Sequence, residues 1–298
     1  MKVGVILPIG TREELGRPLP YAEVREMALR VENGGLDSVW IPDHLIYRFP
    51  ERPQTGVWEA WTITTGLAEA TKRIELGTLV ICIPFRNPAL LAKMAVTLDE
   101  VSGGRFIFGL GAGWHEPEFT AFGYPFDRLV DRFEEALKVI TPLVRGEKVD
   151  FTGRYVAAPN CEMDPPPSRK IPVLVASFKP RMLKLTAEYA DQWNTAWIGH
   201  VDALAARKAA MNAACAETGR DPSTLEITVG VNIAFSDLGD MPESASNREK
   251  FIAGSVEDVA AGLRAYADAG IGHVIAWLYP QSGEAIDRLA AAVKLARG

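Results

Sequence analysis

The run WIPDH, residues 40–44, carries an apolar, strand-like segment into an aspartate and a histidine, Asp43 and His44. Histidine changes charge nearer to neutral pH than any other side chain, so a carboxylate beside it makes a candidate acid–base pair. The same dipeptide would also serve as a turn cap next to a surface histidine, and position alone does not choose. A second group lies in VASFKPR, residues 175–181, where a strand-like run turns into a helix through Ser177, Phe178, Lys179 and Pro180, with Arg181 next. Free amides at a helix start, a hydroxyl and two cations form a plausible phosphate cradle. A capping serine with proline in the first turn explains the same stretch without a ligand, although not its two cations.

Three further stretches invite chemistry. GLGAGW (109–114) begins like a dinucleotide fingerprint, but Trp114 replaces the third glycine and no helix pattern follows. Ala112 and Gly113 would instead bring backbone close to a flat ligand, with the Trp114 indole beside it; a tight turn with an anchoring tryptophan is the plainer alternative. HEPE (115–118) starts like a zinc-protease helix, but the second histidine is missing and Pro117 should break the helix, so no metal site is expected. Val80, Ile81, Cys82 and Ile83 are too apolar for a solvated loop. They should pack beneath helices or line a buried pocket, while Arg86 would meet either a phosphate or a surface carboxylate.

These residues need a frame that gathers them. Strand-like runs occur at 2–7, 37–41, 73–80, 105–110, 171–176, 192–197, 226–235 and 272–278, several apolar without alternation, as strands covered on both faces are. Helical patterns separate them. The clearest is the stripe Leu129, Phe133, Leu137, Ile140 and Val144, and another helix should open at Pro88 after Asn87. Eight such units predict one α/β domain over 1–298, a (β/α)8 TIM barrel, with a doubly wound sheet as the alternative. Insertions are expected after strand 4 (111–127) and after strand 7 (236–250, read as a lid), with a small hairpin before strand 5 (147–170). Loops after barrel strands form the active face, where Asp43 and His44 fall.

Composition narrows the class. The 298 residues are 48% hydrophobic and 23% charged, with a net charge of −6, which argues against nucleic-acid or anionic-membrane partners. No apolar run reaches membrane-spanning length, and three scattered cysteines without a CxxC fit a reducing, cytoplasmic setting.

In combination, SVWIPDH, ELGTLVICIPFRNPALLAKMAVTLDEVSGGRFIFGLGAGWHEPEFTAFGYPF, RFEEALKVITPLVRGEKVDFTGRYV and RMLKLTAEYADQWNTAW resemble the bacterial luciferase-like superfamily. The likeness is greatest to actinobacterial members that use the deazaflavin coenzyme F420, and it covers nearly the whole chain. It implies a (β/α)8 barrel with the cofactor ring at the strand C-termini and Asp43 and His44 at its reactive edge. It also implies a bulge with a non-prolyl cis peptide at Leu79–Val80, behind the ring, and Cys82 close by. Ala176, Ser177 and Phe178 stand where relatives often have Gly-Gly holding the phosphate, with Lys179 and Arg181 beside them. Trp114 replaces a glutamate that some deazaflavin dehydrogenases place there.

The implied activity is an F420-dependent oxidoreductase that moves a hydride between the deazaflavin C5 and a small organic substrate with a C=N, C=C or alcohol/carbonyl group. His44 would be the general acid or base and Asp43 its orienting partner. Trp58, Trp61, Phe85, Trp114 and Trp197 would form an aromatic substrate wall, while Trp40 and Trp277, both mid-strand, would be core. The alternatives are an FMN-dependent luciferase-like monooxygenase using reduced flavin and oxygen, or a non-catalytic flavin-binding barrel. A homodimer is expected by analogy with the family.

Overall fold

Strands that are apolar on both faces need cover on both, and a closed barrel inside a ring of helices supplies it. The computed structural model describes residues 1–12, 15–50, 53–239, 247 and 249–298. Eight strands form the barrel: β1 (Lys2–Ile6), β2 (Ser38–Ile41), β3 (Glu75–Thr78), β4 (Phe106–Gly111), β5 (Val173–Ala176), β6 (Gln192–Ile198), β7 (Glu226–Phe235) and β8 (His273–Tyr279). All pair in parallel and in sequence order, and β8 returns to β1, which excludes the doubly wound sheet. Helices α1 (Tyr21–Asn33), α2 (Ala60–Ala70), α3 (Pro88–Ser102), α4 (Leu129–Leu143), α5 (Pro180–Tyr189), α6 (Ala205–Thr218), α7 (Val256–Asp268) and α8 (Gly283–Arg297) follow the strands in turn.

Local signals set these boundaries. Asn87 caps α3 by accepting from the Leu90 amide at 3.1 Å, with Pro88 at the first helical position. The α4 stripe buries Phe133, Leu137 and Ile140 as its spacing predicts. The hairpin before β5 is Val149–Thr152 paired with Ala157–Cys161. The insertion after β4 contains a short helix, Glu116–Phe122, so Pro117 starts a helix instead of breaking one: in the first turn its missing N–H costs nothing. Of the expected lid at 236–250, residues 240–246 and 248 lie outside the described residues; Phe251–Gly254 extends the sheet beside the end of β7. Among the described residues no helix is long and apolar enough to cross a membrane.

Inside the barrel the side chains form layers. His273, Ile275 and Trp277 share the inward face of β8 by alternation. Ile275 packs with Ile6, Trp40, Ile107 and Leu174 as the middle of this core. Trp40 is buried as expected, and it fits only because Gly4 and Gly77 lack side chains. A Cβ on Gly77 would lie 2.2 Å from the Trp40 ring, and one on Gly4 1.9 Å from Ser38 Oγ. Below, the Ser38 hydroxyl accepts from Trp40 Nε1 and meets His273 Nε2, both at 2.8 Å.

Burial, reinforced by Lys2 and the chain's amino terminus, pushes the His273 imidazole down to about 3. Once pH falls below the ordinary histidine value of about 6.5, the unfolded chain takes up a proton that the folded one refuses. This contribution to stability is whole above that value and is lost progressively as pH falls toward 3. The expected cost is about 2 kcal/mol between pH 6.5 and 5. Urea unfolding at pH 7 and pH 5 measures it, and His273→Asn should flatten the slope. An equally steep slope in the variant would assign the acid sensitivity to other groups.

Candidate active site

Two bulges and the ends of β2 and β4 shape a cavity of about 450 Å³ at the C-terminal mouth of the barrel. The first bulge follows β3. Gly77 pairs with Ile107, yet Ile81 pairs with Leu110, so three residues oppose two. The Leu79–Val80 peptide is cis, as the resemblance implies, and Leu79, Val80 and Cys82 all line the cavity. Glycines on β4 admit the bulge: a Cβ on Gly109 would lie 1.8 Å from the Thr78 carbonyl oxygen, and one on Gly111 2.5 Å from Val80 Cγ2. Gly113, at φ +84°, leaves room for Phe119 and for Cys82 Sγ. These glycines therefore serve protein-on-protein packing as well as access for a ligand. Ala112 packs against the outer core and does not border the cavity, whereas Gly113 and Trp114 do. Ile81 and Ile83 face the outer core.

Asp43 and His44 both border the cavity but point to different partners. His44 Nδ1 lies 2.7 Å from Glu118 Oε1, on the short helix after β4, and Glu118 Oε2 accepts from the Leu45 amide. The Glu118 side chain is almost fully buried. Asp43 does not orient His44, which corrects the sequence expectation. Its carboxylate accepts from both terminal nitrogens of Arg86, at 2.6 and 3.0 Å, and from the Cys82 amide at 2.9 Å. Arg86 also donates to Glu59 Oε1 at 2.6 Å, and Glu59 caps α2. Burial alone would lower the Arg86 guanidinium, but its hydrogen bonds and charges with Asp43 and Glu59 outweigh burial and hold it up. Arg86 is thereby committed to carboxylates.

Other groups at the mouth are held neutral. Burial, with Asp43 and Glu118 nearby, pushes the Cys82 thiol well up, so it is a packing group and not a thiolate nucleophile. Burial and the same two carboxylates push Tyr47 up, keeping its phenol protonated. Burial pulls His115 down, and its Nε2 accepts from the Arg48 amide at 3.1 Å. Tyr47 comes from the small ribbon Ile46–Tyr47 with Thr55–Gly56. Its ring centroid lies 4.5 Å from that of His44; Trp114 meets His44 edge-on at 5.7 Å and stacks near Phe49. The imidazole thus sits in an aromatic cage, with Nδ1 fixed on Glu118 and Nε2 left for a ligand.

The expected aromatic wall divides. Phe85, Trp114 and Trp197 line the cavity. Trp58 lies outside it, half-exposed, donating to the Leu19 carbonyl at 2.8 Å. Trp61 packs edge-on against Phe106 and Phe108 in the layer between α2 and the barrel. Trp277, expected in the core, instead lines the cavity, because it sits on the inward face of β8 near the strand's C-terminal end.

The turn after β5 departs further from expectation. Ala176, Ser177, Phe178, Lys179 and Arg181 do not border the cavity. Ser177 Oγ meets Thr186 Oγ1 at 2.8 Å, within the fold, and the N-cap is Lys179, without a side-chain capping bond. Arg181 pairs with Asp131 and Glu134 on α4. Phe178 is 70% exposed. What remains for an anion is Lys179 and the first-turn amides of Arg181 and Met182.

A flat multi-ring group suits the cavity: the floor of Leu79, Val80 and Trp277 is apolar and the His44 imidazole stands at the rim. Known proteins point the same way. Residues 1–240 match the family described as luciferase-like monooxygenase. The pyrimidine monooxygenase RutA of Methylorubrum extorquens is 29% identical over 91% of this chain and 78% of its own. The F420-dependent glucose-6-phosphate dehydrogenase of Amycolatopsis mediterranei is 34% identical over 56% of this chain and 50% of its own. A solved F420-dependent secondary alcohol dehydrogenase, in complex with an F420–acetone adduct, superimposes with a TM-score of 0.82 at 20% identity over 100% of this chain and 99% of that one. A match across most of the sequence, on a closed parallel barrel with a cavity at its mouth, makes this chain a member of the luciferase-like monooxygenase family, an enzyme in a family that binds flavin or deazaflavin cofactors.

Proposed function

We propose that the protein is an F420-dependent oxidoreductase acting on a small organic substrate with a C=N, C=C or alcohol/carbonyl group. The observation that carries this reading is the His44–Glu118 pair on the cavity rim. A hydride moved to or from carbon must be balanced by a proton on the neighbouring heteroatom or carbon, and a half-buried, carboxylate-held imidazole is suited to carry it. Bound in the cavity, the deazaflavin would supply the carbon that gives or takes the hydride. Leu79, Val80 and Trp277 would hold its ring, with Lys179 and the α5 amides near its phosphate. His44 Nε2 would give or take the proton, and Glu118 would balance the imidazolium. Tyr47, Phe49 and Trp114 would keep water from the imidazole.

The similarity to RutA over most of the chain supports a second reading, an FMN-dependent monooxygenase. Affinity separates the two. F420 should bind at least about tenfold more tightly than FMN, a difference of roughly 1.4 kcal/mol, and Lys179→Ala or added salt should weaken it. Titrating the apoprotein with each cofactor tests this. Equal or better binding of FMN favours the monooxygenase.

A further inference from the structure

The second bulge lies in β6, on the far side of the barrel from the first. Thr195 pairs with Val229 and Ile198 with Val231, so Ala196 and Trp197 together oppose the single residue Gly230. Thr195 and Ile198 both face outward: Thr195 Oγ1 accepts from Arg207 on α6 at 2.8 Å, and Ile198 belongs to the outer core. In a regular strand Trp197 would share the outward parity of Trp193 and Thr195. The extra residue reverses that parity and turns the Trp197 indole into the mouth. The opposite wall is cut to fit, since a Cβ on Gly230 would stand 2.9 Å from Trp197 Cζ3 and 2.6 Å from Ala196 Cβ. Trp277 backs the indole edge-on, with centroids 5.5 Å apart and planes at 75°. Trp197 remains 39% exposed, a rigid flat surface open to a ligand.

The charges around it are one-sided. Asp43 is satisfied by Arg86, Glu118 faces His44, and among the described residues no lysine or arginine lines the cavity. An anionic group would meet the Glu118 carboxylate and, among the described lining residues, no lysine or arginine to pair with, whereas an uncharged ring would lose little on entering.

We propose that Trp197, braced by Trp277, is the specificity-determining wall for a planar, uncharged, conjugated or aromatic substrate, and that the cavity rejects carboxylated or phosphorylated counterparts. The inference rests on the reading that a flat cofactor shares this cavity, and names the class of molecule that lies against it.

A matched pair of probes tests it: 2-naphthol, uncharged at pH 7, and 2-naphthoate, its anionic counterpart of like shape. Both are titrated calorimetrically into F420-loaded protein, and again into cofactor-free protein. 2-Naphthol should bind at least about tenfold more tightly than 2-naphthoate. Trp197→Leu should weaken 2-naphthol about tenfold, and Trp197→Phe, which keeps a flat ring, should restore most of it. Thermal melting confirms that each variant is folded. Equal affinity for the two probes, or a Trp197→Leu variant that binds 2-naphthol as tightly as the parent, would overturn the assignment. So would a Trp197→Leu loss in F420 affinity as large as the loss for naphthol, because Trp197 would then be a cofactor wall. If F420 does not bind at all, the cofactor reading fails alone, and the cofactor-free titrations still decide for Trp197.

Discussion

His44→Ala is expected to lower turnover by about 10²–10⁴-fold, the usual scale for removing a general acid or base, and to leave affinity for the proposed F420 cofactor nearly unchanged. The separation follows from the geometry. His44 Nδ1 is occupied by Glu118, leaving Nε2 to face a ligand, while the cavity floor and the α5 turn supply the binding contacts. Glu118→Gln serves as the companion. It keeps an acceptor for the Leu45 amide but loses the charge that balances an imidazolium, so turnover should fall here too, by up to about 10⁴-fold, the scale for replacing a carboxylate that orients a catalytic imidazole by its amide. Stopped-flow absorbance of the bound cofactor, in single turnover, separates binding from chemistry. If His44→Ala weakens binding and spares the single-turnover rate, His44 is a positioning residue and the proton comes from elsewhere.

How much of this site was legible beforehand depends on how far apart its parts lie in the chain. His44 was legible because strand parity and barrel topology put strand C-termini on one face. Its partner was not, because the eye falls on the adjacent carboxylate, and neighbouring side chains on an extended segment diverge. Asp43 turns away to Arg86, and Glu118 arrives from 74 residues onward. A signal for it existed: Pro117 early in a helix is a start, and it would have placed Glu118 in the first turn of a helix over the strand ends. Tyr47 and Phe49 were missed because the two-residue ribbon strand that holds Tyr47, and the segment after it that holds Phe49, have no strand-length pattern.

The barrel itself follows from eight apolar runs, and its helices from caps such as Asn87 and stripes such as that of α4. Bulges are harder to see. Counting from Trp193 places Trp197 outward, and only the three-dimensional pairing with β7 adds the residue that turns it in. Trp277 is the converse case. Alternation from His273 puts it on the inward face, but being mid-strand suggested core, when the interior near strand C-termini is where the barrel opens. The phosphate turn misled because Arg181 looked free in sequence, while α4 presents Asp131 and Glu134 to it.

Arg86→Met is expected to destabilise the fold by about 3–5 kcal/mol, the cost of stranding a buried charge. The Asp43 side chain has no exposure and that of Arg86 only 12%, so solvent cannot replace the lost guanidinium. Three elements meet there: the end of β2 through Asp43, the segment after the β3 bulge through the Cys82 amide, and the cap of α2 through Glu59. Arg86→Lys keeps the charge but not the two-pronged geometry, so its loss should be intermediate. The double variant Asp43→Leu with Arg86→Met should recover much of the stability, since no buried charge is left over. It should not recover cofactor affinity, because the Cys82 amide, one turn of chain from the cavity floor, still lacks its acceptor. An exposed pair gives the scale: breaking Lys148–Glu162, whose side chains are 72% and 53% exposed, by Lys148→Met should cost less than about 1 kcal/mol. Denaturant midpoints for the four variants measure the comparison. An Arg86→Met loss no larger than that of Lys148→Met would mean that Asp43 finds water or another donor, and that the clamp on the bulge does not depend on the arginine.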